Sequence, residues 1–166
     1  MASFYAKNIP LEINCAYWKA RTMKISIGSD HRGHDQRKTL TEILELLGHQ
    51  VDDCGSFGEE SADYPDIAVV VCNNVVAEKS DRGILVCGTG IGMSIAANKV
   101  AGIRAALVGT AEAATLSTQH NNANLICLAG NDYQPEQYRK IVSAWLEAEF
   151  EGGRHQRRLD KVAGLE

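Results

Sequence analysis

From Met23 onward, short apolar runs alternate with stretches in which apolar residues recur every three or four positions. Lys24-Ile25-Ser26-Ile27-Gly28 reads as a first strand. Leu40, Ile43, Leu44 and Leu47 follow at helical spacing, and Gly48 ends that helix. His49 to Cys54 is a second strand, less apolar and therefore nearer an edge. Pro65 opens a helix carrying Ile67, Ala68, Val71 and Val75. Ile84 to Cys87 is a third strand, with a third helix from Met93 to Lys99. Ile103 to Val108 makes a fourth strand, followed by an Ala-rich helix from Ala111 to about Gln119. Leu125 to Ala129 is the fifth, and Pro135 starts a helix with Tyr138, Ile141, Val142 and Trp145 inward. Five βα units in succession predict an α/β fold. Its form is a Rossmann-like three-layer sandwich, with a five-stranded parallel sheet flanked by helices. Right-handed crossovers then gather functional residues at the carboxyl ends of the strands.

Residues 1–22 break this pattern, with Lys7, Pro10, Glu12 and Lys19 interrupting any apolar stretch. They are expected to form a poorly ordered extension, with residues 23–166 as a single domain. A length of 166 residues suits one core. The net charge of −4 argues against non-specific nucleic-acid or anionic-membrane binding. It leaves room for a local basic pocket that holds a phosphorylated ligand. No run approaches the ~18 apolar residues that span a bilayer. The five cysteines are odd in number and lack a C-x-x-C pair, as expected of reduced thiols in the cytoplasm.

The densest chemistry lies where the third strand ends. Cys87 passes directly into Gly88-Thr89-Gly90-Ile91-Gly92 and then a helix. Free backbone N–H groups at such a turn suit an oxyanion, and a helix N-terminus favours a thiolate. A base beside an oxyanion site suits proton abstraction next to a carbonyl. The glycine pattern is neither G-x-G-x-x-G nor a P-loop, so dinucleotide binding and NTP hydrolysis are disfavoured. Asp30 and His31 follow the first strand, and His120, Asn121, Asn122 and Asn124 lie near the fifth. All are expected to converge on one crevice. Each has a plainer reading: Asp30 as a helix N-cap, His120 as a histidine on a helix C-terminal dipole, Cys87 as a small buried hydrophobe. His31 and His34 share helical spacing, but no carboxylate or cysteine completes a metal site, and none is expected.

Several segments in order resemble one family. They are Gly28 to Gly33, Asp63-Tyr64-Pro65, Cys87 to Lys99, His120 to Asn124 and Gly153 to Arg158. The chain from Met23 to Ala163 is similar to the ribose-5-phosphate isomerase B family. That family includes galactose-6-phosphate isomerase subunits and other phosphosugar isomerases. The resemblance implies that Cys87 is the base moving a proton between carbons 1 and 2. Amides around Gly88, Gly90 and Gly92 would hold the enediolate oxygen, with Thr89 assisting. His120 and Asp30 match the pair that opens the furanose ring. His31, Arg154 and Arg158 match phosphate ligands, while Tyr64 and Asn121 line the sugar. It also implies active sites between subunits, in a homodimer or a tetramer built from dimers. No metal or organic cofactor is implied.

One position departs from the family. A Gly-x-Arg commonly follows the fifth strand, and its arginine joins the phosphate cluster. Here the segment reads Ala129-Gly130-Asn131-Asp132. The expected activity is aldose–ketose isomerisation of D-ribose 5-phosphate and D-ribulose 5-phosphate. Asn131 keeps open the same chemistry on a tetrose or hexose phosphate, and a non-catalytic sugar-phosphate-binding module is the third reading.

Overall fold

Apolar runs without alternation need cover on both faces of a sheet, and the strands sort by that rule. In the computed structural model, which describes residues 22–55, 63–130 and 133–166, five parallel strands form one sheet. Strands β1 (Lys24–Ser29), β3 (Arg82–Cys87) and β5 (Leu125–Ala129) are buried almost throughout. The more polar β2 (Gln50–Asp53) and the short β4 (Ala105–Leu107) are the edges of the order β2-β1-β3-β5-β4. The expected edge position of the second strand is met. Of the expected extension over residues 1–22, all but Thr22 lies outside the described residues, as does Asn131.

Side chains alternate across the sheet and build two cores. On one face Ile25, Ile27, Ile84, Val86, Ile126 and Leu128 meet α1 (His34–Leu46), α4 (Ala111–Asn121) and α5 (Pro135–Glu147). On the other, Leu85, Cys87, Leu125 and Cys127 meet α2 (Tyr64–Val76) and α3 (Ile91–Ala97). Trp145 of α5 is fully buried. Its Nε1 donates to the Ala123 carbonyl at 3.3 Å, and the Arg82 guanidinium lies 4.8 Å from its ring centre.

Helix boundaries follow local chemistry. Gly48 takes φ +85° just past α1, the left-handed turn that commonly closes a helix. Gln134 and Gln137 form a reciprocal capping box at the start of α5, with Pro135 in the first turn. The fourth strand is shorter than expected because Arg104 is engaged elsewhere: its backbone N–H donates to Asn124 Oδ1 at 2.9 Å. An additional helix, α6 (Arg154–Ala163), was not expected. Its sequence, RHQRRLDKVA, is mostly charged, yet Leu159, Val162 and Ala163 stand at helical spacing behind His155, the one residue buried in it.

Candidate active site

The strand order reverses between β1 and β3, since β2 lies to one side of β1 and β3 to the other. Open parallel sheets bind ligands in the crevice at such a switch point, beyond the carboxyl ends of the strands. Asp30 and Cys87 stand there. The Asp30 N–H donates to the Val86 carbonyl at 3.2 Å, which fixes Asp30 beside the residue preceding Cys87. Asp30 also caps the 3₁₀ turn His31–Gly33, its Oδ1 accepting from the N–H groups of Arg32 (2.9 Å) and Gly33 (3.1 Å). The capping reading therefore holds, and it orients the carboxylate. His31 is exposed on that turn.

Cys87 is 6% exposed at the last position of β3. The Gly90 N–H donates to its Sγ at 3.2 Å. Gly90 itself has φ +75°, and a Cβ there would stand 2.6 Å from Leu107 Cδ1 and 3.0 Å from the Leu128 carbonyl carbon. Only glycine fits a left-handed turn that tight. Thr89 is exposed, and its Oγ1 accepts from the Ile91 N–H at 3.3 Å. The Tyr64 ring closes one side, so near Gly92 that a Cβ there would stand 3.0 Å from Tyr64 Cζ. On the other side the Gly130 N–H donates to the Cys87 carbonyl at 2.8 Å. Asp30, Cys87, the glycine turn and Tyr64 thus form one cluster.

The other described thiols have no such surroundings. Burial pushes the Cys72 thiol up to about 11 and raises Cys127 well above its ordinary value, so both stay protonated in the core. Cys54 is also raised by burial, and its sulfur accepts from Asn74 Nδ2 at 3.5 Å.

His120 and Asn121 do not join the Cys87 cluster within one chain. They precede β5, and α4 runs back along the sheet, so its C-terminus returns to the amino ends of the strands. There the Gly83 N–H donates to the Asn124 carbonyl, and Arg82 Nη1 donates to the Trp145 carbonyl at 2.7 Å and to Thr118 Oγ1. The five steps from Arg82 to Cys87 span about 17 Å of strand, at ~3.3 Å per residue. Convergence of all the candidates on one crevice is therefore overturned for a single chain. Asn122 and Asn124 prove structural. Asn122 is the left-handed cap of α4 at φ +45°, and Asn124 ties Arg104 to the Gly102 carbonyl.

At that amino end a second cluster surrounds His120. Its ring stacks on His155 with centroids 4.3 Å apart and planes 4° from parallel. Glu151 Oε2 lies 3.9 Å from His120 Nε2 and 3.5 Å from His155 Nε2. Arg154 Nε donates to His155 Nε2 at 3.3 Å, and Arg158 follows one helical turn later on exposed α6. Glu151 and His155 were missed in the sequence, although His155 lies inside the recognised Gly153–Arg158 segment. Two histidines and a carboxylate are metal-ligand types, and their ligand atoms lie within 4.8 Å of one another. The parallel rings, however, send their lone pairs side by side instead of toward a common point, and Arg154 already donates to one of them. His34, the other candidate metal-binding histidine, pairs its Nδ1 with Arg37 at 3.2 Å.

Among the described residues no helix is long and apolar enough to cross a membrane. The family model described as Ribose/Galactose Isomerase matches residues 25–162. Ribose-5-phosphate isomerase B of Escherichia coli is 42% identical over 143 residues, covering 86% of this chain and 96% of that protein. D-erythrulose-4-phosphate isomerase of Pectobacterium atrosepticum is 40% identical over 146 residues, covering 87% and 95% respectively. The crystal structure of ribose-5-phosphate isomerase B from Mycoplasma genitalium with bound ribulose-5-phosphate is similar with a TM-score of 0.81. At 44% identity, that match covers 86% of this chain and 95% of that one. With a fold and a match across nearly its whole described length in common, the chain belongs to the ribose/galactose isomerase family of enzymes.

Proposed function

We propose that this protein interconverts D-ribose 5-phosphate and D-ribulose 5-phosphate through an enediolate, in a site that two copies of the chain complete. The carrying observation is Cys87 at the β1/β3 switch point, with Asp30 beside it and the Gly90 N–H on its sulfur. Relatives named for this reaction support the same reading.

The Cys87 thiolate takes the proton from carbon 2 of the open-chain aldose. Electrons move into the C1–C2 bond and negative charge onto the carbonyl oxygen, where amides of the Gly88–Gly92 turn receive it. Preorganised donors of this kind are worth about 3 kcal/mol each in the transition state. The proton returns at carbon 1 while the carbon 2 hydroxyl passes its own to the carbon 1 oxygen, with Thr89 assisting, and the ketose results. Before that step His120 and Asp30 open the furanose, one protonating the ring oxygen and the other taking the proton of the anomeric hydroxyl. His31, Arg154 and Arg158 hold the phosphate dianion, and Tyr64 and Asn121 line the sugar.

One chain keeps Cys87 and His120 at opposite ends of the sheet, so the pair must come from two copies. A two-fold dimer brings the His120 end of each to the Cys87 end of the other and makes two identical sites. The surface around the Cys87 end fits this arrangement: Ile91 and Ile95 on α3 and Leu107 on edge strand β4 are each about half exposed. A second copy would cover them.

Proton NMR in deuterium oxide tests both halves. The wild type is expected to turn ribose 5-phosphate into ribulose 5-phosphate with deuterium entering the transferred position, and Cys87→Ala and His120→Ala are each expected to fail. Dissociating and reassociating an equimolar mixture of the two variants should restore about a quarter of the activity, because half the dimers then hold one intact site. An inactive mixture would remove the shared site, and a fully active Cys87→Ala would remove the thiol base. The resemblance to D-erythrulose-4-phosphate isomerase favours one second reading, the same chemistry on a tetrose phosphate. Faster exchange with erythrulose 4-phosphate than with either pentose phosphate would select it. No exchange with any sugar phosphate would leave a binding module.

A further inference from the structure

His120 is the proposed ring-opening group, yet it is more than a third exposed and sits in the last turn of a helix. A side chain in that position samples several rotamers unless something holds it. Three neighbours from one short segment surround it. Glu151 is tied to α4 by its own backbone N–H, which donates to the Gln119 carbonyl at 3.0 Å, one residue before His120. Gly152 and Gly153 then take φ +65° and +54°, a reversal open to glycine that delivers Arg154 and His155 at the start of α6. His155 is 4% exposed, and its ring lies flat against that of His120.

We propose that His155 is a positioning residue for ring opening: its buried imidazole is the platform that fixes the plane of His120, and Arg154 holds that platform. The inference rests on the ring-opening role proposed for His120. The bond from Arg154 Nε to His155 Nε2 makes that nitrogen an acceptor, which assigns the His155 proton to Nδ1. Burial first, and then the charges of His120 and Arg154, hold the His155 pKa below its ordinary value. A neutral His155 matters because two charged rings 4.3 Å apart would repel each other. The groups facing the stacked pair are Glu151 from the connecting segment and Arg154 and Arg158 from α6. His120 is thereby left as the ring-opening group, with Glu151 Oε2 standing 3.9 Å from its Nε2. Arg154, a proposed phosphate ligand, touches the platform directly, so phosphate binding and ring opening share one support.

Two reactions of the same preparation separate this role from a structural one. Ribose 5-phosphate cyclises and must be opened, whereas ribulose 5-phosphate carries its phosphate on the only hydroxyl that could close a furanose and is open-chain. Deuterium exchange at carbon 1 of ribulose 5-phosphate therefore needs Cys87 but not His120. His155→Ala is expected to lower turnover of ribose 5-phosphate by about tenfold to a hundredfold, the scale of a misplaced acid–base group. Its exchange into ribulose 5-phosphate should stay within about threefold of wild type, against that scale. His155→Phe, which keeps a flat ring against His120, should recover most of the lost turnover. The ratio of the two rates is independent of how much of a variant is folded. An unchanged ratio in His155→Ala, or a Phe variant no better than Ala, would overturn the proposal. A wild type without exchange into ribulose 5-phosphate would instead overturn the proposed function.

Discussion

Gly90→Ala puts the architecture of the Cys87 turn to a quantitative test. The residue has φ +75°, and the left-handed conformation costs an L side chain about 1–2 kcal/mol. A Cβ would also stand 2.6 Å from Leu107 Cδ1 and 3.0 and 3.1 Å from the carbonyl carbon and oxygen of Leu128. The Leu107 side chain is half exposed and can turn aside. Leu128 cannot, because β5 is paired to β3 on one side and β4 on the other. The turn must therefore yield, at an overpacking cost of about 1–3 kcal/mol. Together these give a destabilisation of about 2–5 kcal/mol, or a fall in Tm of roughly 6–15 °C for a chain of this size. Gly48→Ala is the control: it shares the positive φ, +85°, but a Cβ there meets nothing within 4 Å. It should cost only the conformational part, about 1–2 kcal/mol. Urea unfolding of both variants gives the difference directly. Activity supplies a second readout, since the Gly90 N–H contacts Cys87 Sγ and a 1 Å displacement costs about a hundredfold in rate. Equal destabilisation in the two variants, with kcat unchanged in Gly90→Ala, would refute the close approach.

Trp145→Ala should destabilise by about 3–5 kcal/mol in the same assay, since it removes a fully buried indole. Trp145→Phe keeps a ring beneath Arg82 and should lose about 1 kcal/mol with the Nε1 bond to Ala123. His49 gives a pH signature. Its ring is 6% exposed, its Nδ1 accepts the Met23 N–H at 3.3 Å, and burial holds its pKa below the ordinary value. The unfolded chain then binds the extra proton first as pH falls below about 6.5. Stability should be fully present above about 6.5 and decline from there down to the folded-state pKa. Urea midpoints measured between pH 7.5 and 5.5 should show a shallower slope in His49→Asn, reduced and not abolished because His155 shifts in the same direction.

The strands and five of the helices were legible because burial on two faces imposes apolar runs and burial on one imposes a helical period. Lys24 to Gly28 and Leu125 to Ala129 could hardly be anything but buried strands. The turn after Cys87 was equally plain, since a thiol delivered by such a run into three alternating glycines is rarely a matter of packing. Helix α6 escaped because its few apolar residues, Leu159, Val162 and Ala163, keep a helical spacing that the surrounding charges mask, and it rests on the fold through little more than His155 and a half-buried Leu159. His120 was placed on the wrong side by proximity to the fifth strand: it stands before that strand, and a residue before a strand lies at the opposite end of the sheet from one after it.

The sequence by itself determined most of the elements and the chemistry at the end of β3, because each depends on neighbours within a few positions, and the succession of βα units implied a parallel sheet. Tertiary structure alone decided that β5 lies between β3 and β4, that Cys87 and His120 stand a strand's length apart, and that His155 backs His120. These depend on how helices return the chain and on contacts between residues 20 or more positions apart, and hydrophobic periodicity carries no record of either.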